Sequence, residues 1–303
     1  LALLYRMTFM DTIMTMIING KSMNKIKYLF CFLPLLFVFC FSFGQTPYPG
    51  ALTNWDSLRY NLSWKRELVI ITPAVILVTT DLFLPPPTLG VEDLAGLDIN
   101  DIPAFERDII YFDSAQAAVA EIWSDGINAL SFGACAAAIF SSYKEERQVF
   151  KNAIVYAEGA VLTYGVTEVL KSAIGRNRPY TYNDNYSADY RLRKDPTSSF
   201  PSGHTSSTAY NCFFAASLID YYYIANDDKW LKIINWGTAA TIPIITGYLR
   251  TEAGKHFYTD VAGGYIIGAA IGLGVPMLHK YNNLHISAGF GDEVKMVNLV
   301  VNF

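Results

Sequence analysis

Apolar and polar positions alternate in long blocks along this chain, and the blocks predict helices joined by polar breaks. Trp64 to Leu84 is the most apolar stretch beyond the first 44 residues. Asp81 interrupts it, Pro73 kinks or begins a helix there, and Pro85-Pro86-Pro87 ends it. Thr88 to Pro103 reads as loop. Ala104 to Trp123 and Asp125 to Tyr143 read as two helices, with Lys144 to Arg147 as a solvated link. Asn152 to Gly175 reads as helix and Asn177 to Ser199 as a long polar loop. Thr205 to Ile224, Leu231 to Leu249 and Thr259 to Leu278 read as three more helices. The tail changes period: Val297, Leu299, Val301 and Phe303 would share one face of a strand, which predicts a terminal β-hairpin. Two strands cannot close a barrel, so the terminal aromatic does not make this an outer-membrane barrel. The fold class expected is all-α, a helical bundle with a short C-terminal hairpin.

The first segment has a different purpose. Met23-Asn24-Lys25-Ile26-Lys27 is a basic start, Tyr28 to Phe41 is an apolar run, and Ser42-Phe43-Gly44 supplies small residues. That is the layout of a signal peptide or, failing cleavage, an N-terminal anchor. The organisation expected is an extension over 1–22, a leader over 23–44, and an entry segment with one apolar helix over 45–103. A helical catalytic domain over 104–283 and the hairpin over 284–303 follow. The leader implies export to the periplasm or cell envelope, with an integral membrane protein as the alternative.

Composition narrows the choice. Of 303 residues 52% are hydrophobic and only 17% charged, against roughly 25% charged in soluble proteins. The chain therefore packs a very apolar core or touches lipid. Glu158, Glu168, Asn211 and Asp220 lie within the candidate spans, which favours a buried bundle over independent spans. Lipid-facing helices around a polar site are the alternative. A formal net charge of −4 offers no basic field for nucleic acid. Cys135 and Cys212 lie in apolar contexts without metal-type spacing and read as buried hydrophobes.

Three polar clusters stand out from this background. Lys171 and Arg178, seven apart and followed by Pro179, would share a helix face roughly 10 Å apart along the axis. An ammonium and a guanidinium fork there suit phosphate oxygens. Pro179 also places Arg178 at the mouth of that helix. Pro201-Ser202-Gly203-His204 opens a helix, with Ser202 as cap and Gly203 allowing close backbone approach to an anion. Arg250, His256 and Asp260 form the third. Asp260, four residues after His256, would accept the Nδ1–H and leave Nε2 bare, as a nucleophile requires. The blander readings are a basic helix end, a capped helix and a surface i,i+4 pair. His279 and His285 have no such company and read as structural or surface residues. Two histidines and an aspartate can ligate a metal, but the surrounding cations favour an anion, so no metal is expected.

In order and spacing, the clusters resemble the signature K-x6-R-P, P-S-G-H, S-R-x5-H-x3-D of the type 2 phosphatidic acid phosphatase and vanadium haloperoxidase superfamily. The match spans Lys171 to Asp260, with Leu249 where the family pattern has Ser. The resemblance implies a helical bundle and a metal-independent phosphatase acting through a phosphohistidine. His256 would be the nucleophile, Asp260 its orienting partner and His204 the acid and then the base. Lys171, Arg178, Ser202, Gly203 and Arg250 would bind phosphate. It implies no cofactor; vanadate enters only under the haloperoxidase alternative. A non-catalytic anion-binding envelope protein is the remaining alternative. The expected partner is a phosphorylated lipid or a small phosphoester, with membrane association. Tyr180, Tyr182, Tyr186 and Tyr190 could line an acyl-chain site or form a packed lid.

Overall fold

The computed structural model describes residues 60, 62, 64–83, 86–141, 146–224 and 227–280, and the backbone of 284–290 and 295–301. The expected extension over 1–22 and leader over 23–44 lie outside these residues. Helix α1 is Trp64–Phe83, with Pro73 inside it. Three 3₁₀ turns follow, Glu92–Gly96, Ile99–Asp101 and Ala104–Tyr111. The remaining helices are α2 (Ser114–Ser141), α3 (Glu146–Ile174), the single turns α4 (Pro179–Tyr182) and α5 (Ala188–Arg191), α6 (Gly203–Tyr223), α7 (Lys229–Glu252) and α8 (Tyr258–Lys280).

Helix α6 is the axis of the bundle. α2, α3, α7 and α8 all pack on it, while α1 lies along α3. Tyr210, Phe214 and Leu218 of α6 are fully buried, with Cys135 of α2 and Val155 of α3 beside them. Cys135 and Cys212 are both buried and free. Helix α8 meets α6 backbone to backbone. A Cβ at Gly264, Gly268 or Gly272 would collide with the backbone carbonyl of Ser202, Ser206 or Tyr210 respectively. Three glycines one turn apart thus bring the two backbones together, where any side chain would force them apart.

Two expectations require correction. The pair of helices expected over 104–143 is one 3₁₀ segment and one continuous helix. The break falls at Asp113, whose Oδ1 accepts from the amides of Ala115 and Gln116, both at 2.9 Å. At the expected break, Ser124 simply donates to Glu121 O at 2.8 Å and the helix runs on. The terminal hairpin is not supported as a component of the fold. Leu284–Phe290 and Lys295–Val301 pair only with each other among the described residues. A lone two-stranded ribbon is marginal in water.

The outer faces are unusually apolar. Leu68, Ile71, Val75 and Ile76 of α1, and Ile122, Leu130 and Phe140 of α2, are exposed. The stretches Gln148–Tyr182 and Tyr258–His279 are long and apolar enough to cross a membrane by length and composition. Their most apolar windows are only 33% and 28% buried. The expectation that they sit inside the bundle therefore weakens in favour of lipid-facing helices.

Candidate functional site

The first cluster begins at the end of α3. Gly175, at φ +60, closes that helix, its amide donating to Lys171 O at 2.9 Å. A glycine in this left-handed conformation is a common helix stop. Arg178 is consequently in extended backbone, φ −79 and ψ 155. Lys171 and Arg178 therefore do not share a helix face; Arg178 lies beyond the helix mouth, as the following proline requires. The Arg178 amide donates to Pro196 O at 2.8 Å, and its buried Nε has no hydrogen-bond partner. Lys171 Nζ donates to Glu168 Oε1 at 2.6 Å and sits against Gly203, where a Cβ would come within 3.1 Å of it.

The second cluster is the first turn of α6. Ser202 is fully buried and flanks the helix, but its side chain caps nothing. Its Oγ accepts from Thr205 Oγ1 at 2.9 Å, and its amide donates to Asp260 O at 2.9 Å. The capping role expected of Ser202 is thus replaced by a tie to α8, and no side-chain cap claims the first-turn amides. Such amides attract anions. His204 Nε2 lies 2.8 Å from Asp125 Oδ1, and with side-chain exposures of 35% and 54% this pair forms the open side of the site. Burial, together with the charges of Arg250 and Lys171, pushes the His204 imidazole down to about 4, and Asp125 opposes the shift.

The third cluster is the most deeply buried. His256 Nδ1 is 2.7 Å from Ser199 O, to which it donates. The expected acceptor, Asp260 Oδ2, is 3.8 Å away, beyond hydrogen-bond range. The reason is that α8 starts at Tyr258, after His256, so the two residues never share a helical face. The tautomer is nonetheless the expected one, with Nε2 bare. Burial first, then the charges of Arg178, Arg250 and Lys171, hold the His256 imidazole well below its ordinary range. Arg250 is buried, its Nη1 3.2 Å from Ser124 Oγ and 3.3 Å from Asp125 Oδ1, with Nε unpartnered. Burial, then Arg178, lowers its guanidinium to about 10. Three cations therefore surround a neutral imidazole. The arrangement suits an anion.

Asp260 is instead the knot of the site. Its Oδ2 accepts from Ser199 Oγ at 2.5 Å and from the Phe257 amide at 2.7 Å, and its Oδ1 meets Arg176 Nη1 at 2.5 Å. Arg176 Nη2 reaches Glu106 Oε2 at 2.8 Å, and Glu106 Oε1 accepts from the Thr259 amide at 2.8 Å. Sequence reasoning missed Arg176, Ser199, Glu106 and Asp125. Glu106 is wholly buried, but as one of three consecutive charged residues, Glu106-Arg107-Asp108, it carried no signal in the sequence. Arg176 lay inside the first cluster, unassigned.

The tyrosines of the loop are packed among themselves and their neighbours. Tyr180 is fully buried and donates to Lys194 O at 2.7 Å, Tyr186 stacks on Tyr190 at 4.4 Å, and Tyr182 meets the Phe257 ring edge-on. The open space lies elsewhere. A groove of about 600 Å³ leads from Lys171, Gly203 and His204 along Tyr164, Val161 and Phe132.

Comparison with known proteins concerns the segment that carries these clusters. A 149-residue stretch is 26% identical to a Drosophila melanogaster protein named "Putative phosphatidate phosphatase", covering 40% of this chain and 39% of that one. The chain thus spans about two fifths of the length of that relative. No solved structure matches significantly. The model of the PAP2 superfamily matches residues 152–284, which include all three clusters. That segment of the chain is thus similar to the PAP2 superfamily.

Proposed function

We propose that this protein is a phosphatase of lipid phosphates in which His256 attacks phosphorus. The observation that carries the reading is the His256 imidazole: Nδ1 tied to the Ser199 carbonyl, Nε2 bare, and the buried Arg178 and Arg250 charges around it. The His256 Nε2–P bond forms as the ester P–O bond breaks, and the leaving oxygen takes a proton from His204. Water then attacks the phosphohistidine, giving a proton to His204 and releasing His256 and phosphate. Negative charge in such a transition state spreads over the equatorial oxygens. Lys171, Arg178, Arg250 and the Gly203 end of α6 are the groups available to meet it, so the step asks for no metal at the phosphate. Asp260 acts through Ser199 as a positioning residue.

A lipid substrate is favoured by the groove, whose walls Val78, Phe132, Val161 and Tyr164 begin where Lys171 and His204 end. The exposed apolar faces of α1 and α2 support membrane association, and the leader-like segment 23–44 supports an address outside the cytoplasm. The test is phosphate release from vesicles containing a phosphatidate, beside a soluble aryl phosphate, by the wild type and His256→Ala. Acid-labile, base-stable ³²P on the wild-type chain alone is expected, with faster release from the lipid. Label that persists in His256→Ala overturns the nucleophile, and faster turnover of the soluble ester overturns the lipid preference.

A further inference from the structure

At the far end of α8, about 28 Å from Asp260 along the helix, a second buried histidine faces two carboxylates from two other helices. His279 is in the last turn of α8, Glu67 in the first turn of α1, and Glu158 midway along α3. His279 is wholly buried. Its Nε2 lies 3.0 Å from Glu158 Oε2 and 3.3 Å from Glu67 Oε2. All three candidate ligand atoms fall within 4.8 Å of one another.

The hydrogen bonds of this cluster leave the Glu158 carboxylate without a hydrogen-bond partner. His279 Nδ1 is 2.8 Å from Val275 O and donates to it, so Nε2 is the nitrogen turned towards the acids. A neutral imidazole would therefore aim a lone pair at two carboxylates. A proton on Nε2 answers only one of them, because an N–H points along one line. The Nε2 to Glu67 contact has hydrogen-bond geometry, whereas neither oxygen of Glu158 has a hydrogen-bond partner. Yet the Glu158 side chain is only 3% exposed. An ionised carboxylate held that deeply is paired with a positive charge or coordinates a metal.

We propose that Glu67, Glu158 and His279 form a binding site for a divalent cation of the zinc class, tying α1, α3 and the C-terminal end of α8 together. The donors are the imidazole and carboxylates that zinc takes, and a histidine ligand commonly gives its other N–H to a backbone carbonyl, as His279 does. The spacing also fits. Metal–ligand bonds of about 2.0–2.1 Å set tetrahedron edges of roughly 3.3–3.4 Å, close to the two distances from Nε2. The fourth position is left to a water or small ligand. This inference is independent of the phosphatase reading, since none of its residues adjoins His256.

The test is titration of the full chain, purified in detergent and stripped with chelator, with Co(II). The expected result is the strong visible absorption of tetrahedral Co(II), saturating at one equivalent and displaced by Zn(II), with a higher melting temperature for the zinc-loaded protein. Glu158→Gln, which keeps shape and a polar head, should weaken Co(II) binding at least tenfold. No visible band with the wild type, or a band unchanged in both Glu158→Gln and Glu67→Gln, overturns the proposal and leaves a proton as the occupant. The wild-type titration decides the matter even where a variant fails to fold.

Discussion

The two ends of α8 each bury an acid beside a histidine, and they differ in how the acid is answered. At the N-terminal end, Asp260 has Ser199, the Phe257 amide and Arg176 on its oxygens, and it stands off from His256 at 3.8 Å. The imidazole is thereby free of a carboxylate and sits among cations instead. At the C-terminal end, Glu158 has no hydrogen bond and lies 3.0 Å from His279. A carboxylate and an imidazole give an anion-seeking site at one end and, on our proposal, a cation-seeking site at the other. What decides is which groups surround the pair, not the pair.

The largest expected effect separates the two ends outright. His256→Ala should cut turnover by on the order of 10⁴–10⁶-fold and leave Co(II) binding intact. Steady-state phosphate release beside the cobalt titration checks both, with circular dichroism as the control for folding. Arg178→Ala should lower kcat/KM by roughly 10²–10³-fold, the usual loss of one preorganised charge at a transition state. A fall confined to KM would instead assign Arg178 to ground-state binding. Arg176→Ala probes the knot: it strands two fully buried acids, Asp260 and Glu106, and should cost about 3 kcal/mol of stability. Denaturant melts measure that loss. In chelated protein, Glu158→Gln should change stability little or raise it, because it removes a buried carboxylate that has no hydrogen bond. Equal losses in the two variants would erase the contrast between the ends.

The smallest effect concerns pH. His204 must be protonated to act as the acid, and its imidazole is pushed down to about 4 by burial and by Arg250, with Asp125 opposing. Asp125→Asn removes the opposing charge and lowers that value further. The alkaline limb of the kcat/KM profile should therefore move to lower pH, with a rate change under about tenfold at neutrality. A shift to higher pH would mean that Asp125 does not support the acid form.

The helices were legible because their apolar blocks are long, and the three clusters because residue type and spacing are visible along the chain. Contacts made across the chain were not. Nothing local in the sequence says that Ser199 O, rather than Asp260, takes the His256 proton; that depends on α8 starting two residues after the histidine. Nor could it show that Glu106 reaches Arg176 and Thr259, more than 60 residues away along the chain. Ser202 illustrates the same limit: the residue type suggests a cap, and its neighbours turn it into a tie. Asp113 was missed for the opposite reason. Its capping signal was present locally but overshadowed by the apolar run on either side.

The glycine contacts between α6 and α8 have a consequence for how this chain can change over time. His204 rides on one of those helices and Asp260 on the other, and their separation is set by backbone touching backbone at Gly264, Gly268 and Gly272. Side chains elsewhere on both helices can drift without altering that spacing, so outer faces and groove are free to adapt to new substrates or surroundings. The freedom has a fixed counterpart. One methyl group at Gly268 would separate the helices and displace the whole site at once, so the chemistry can be lost there in a single step.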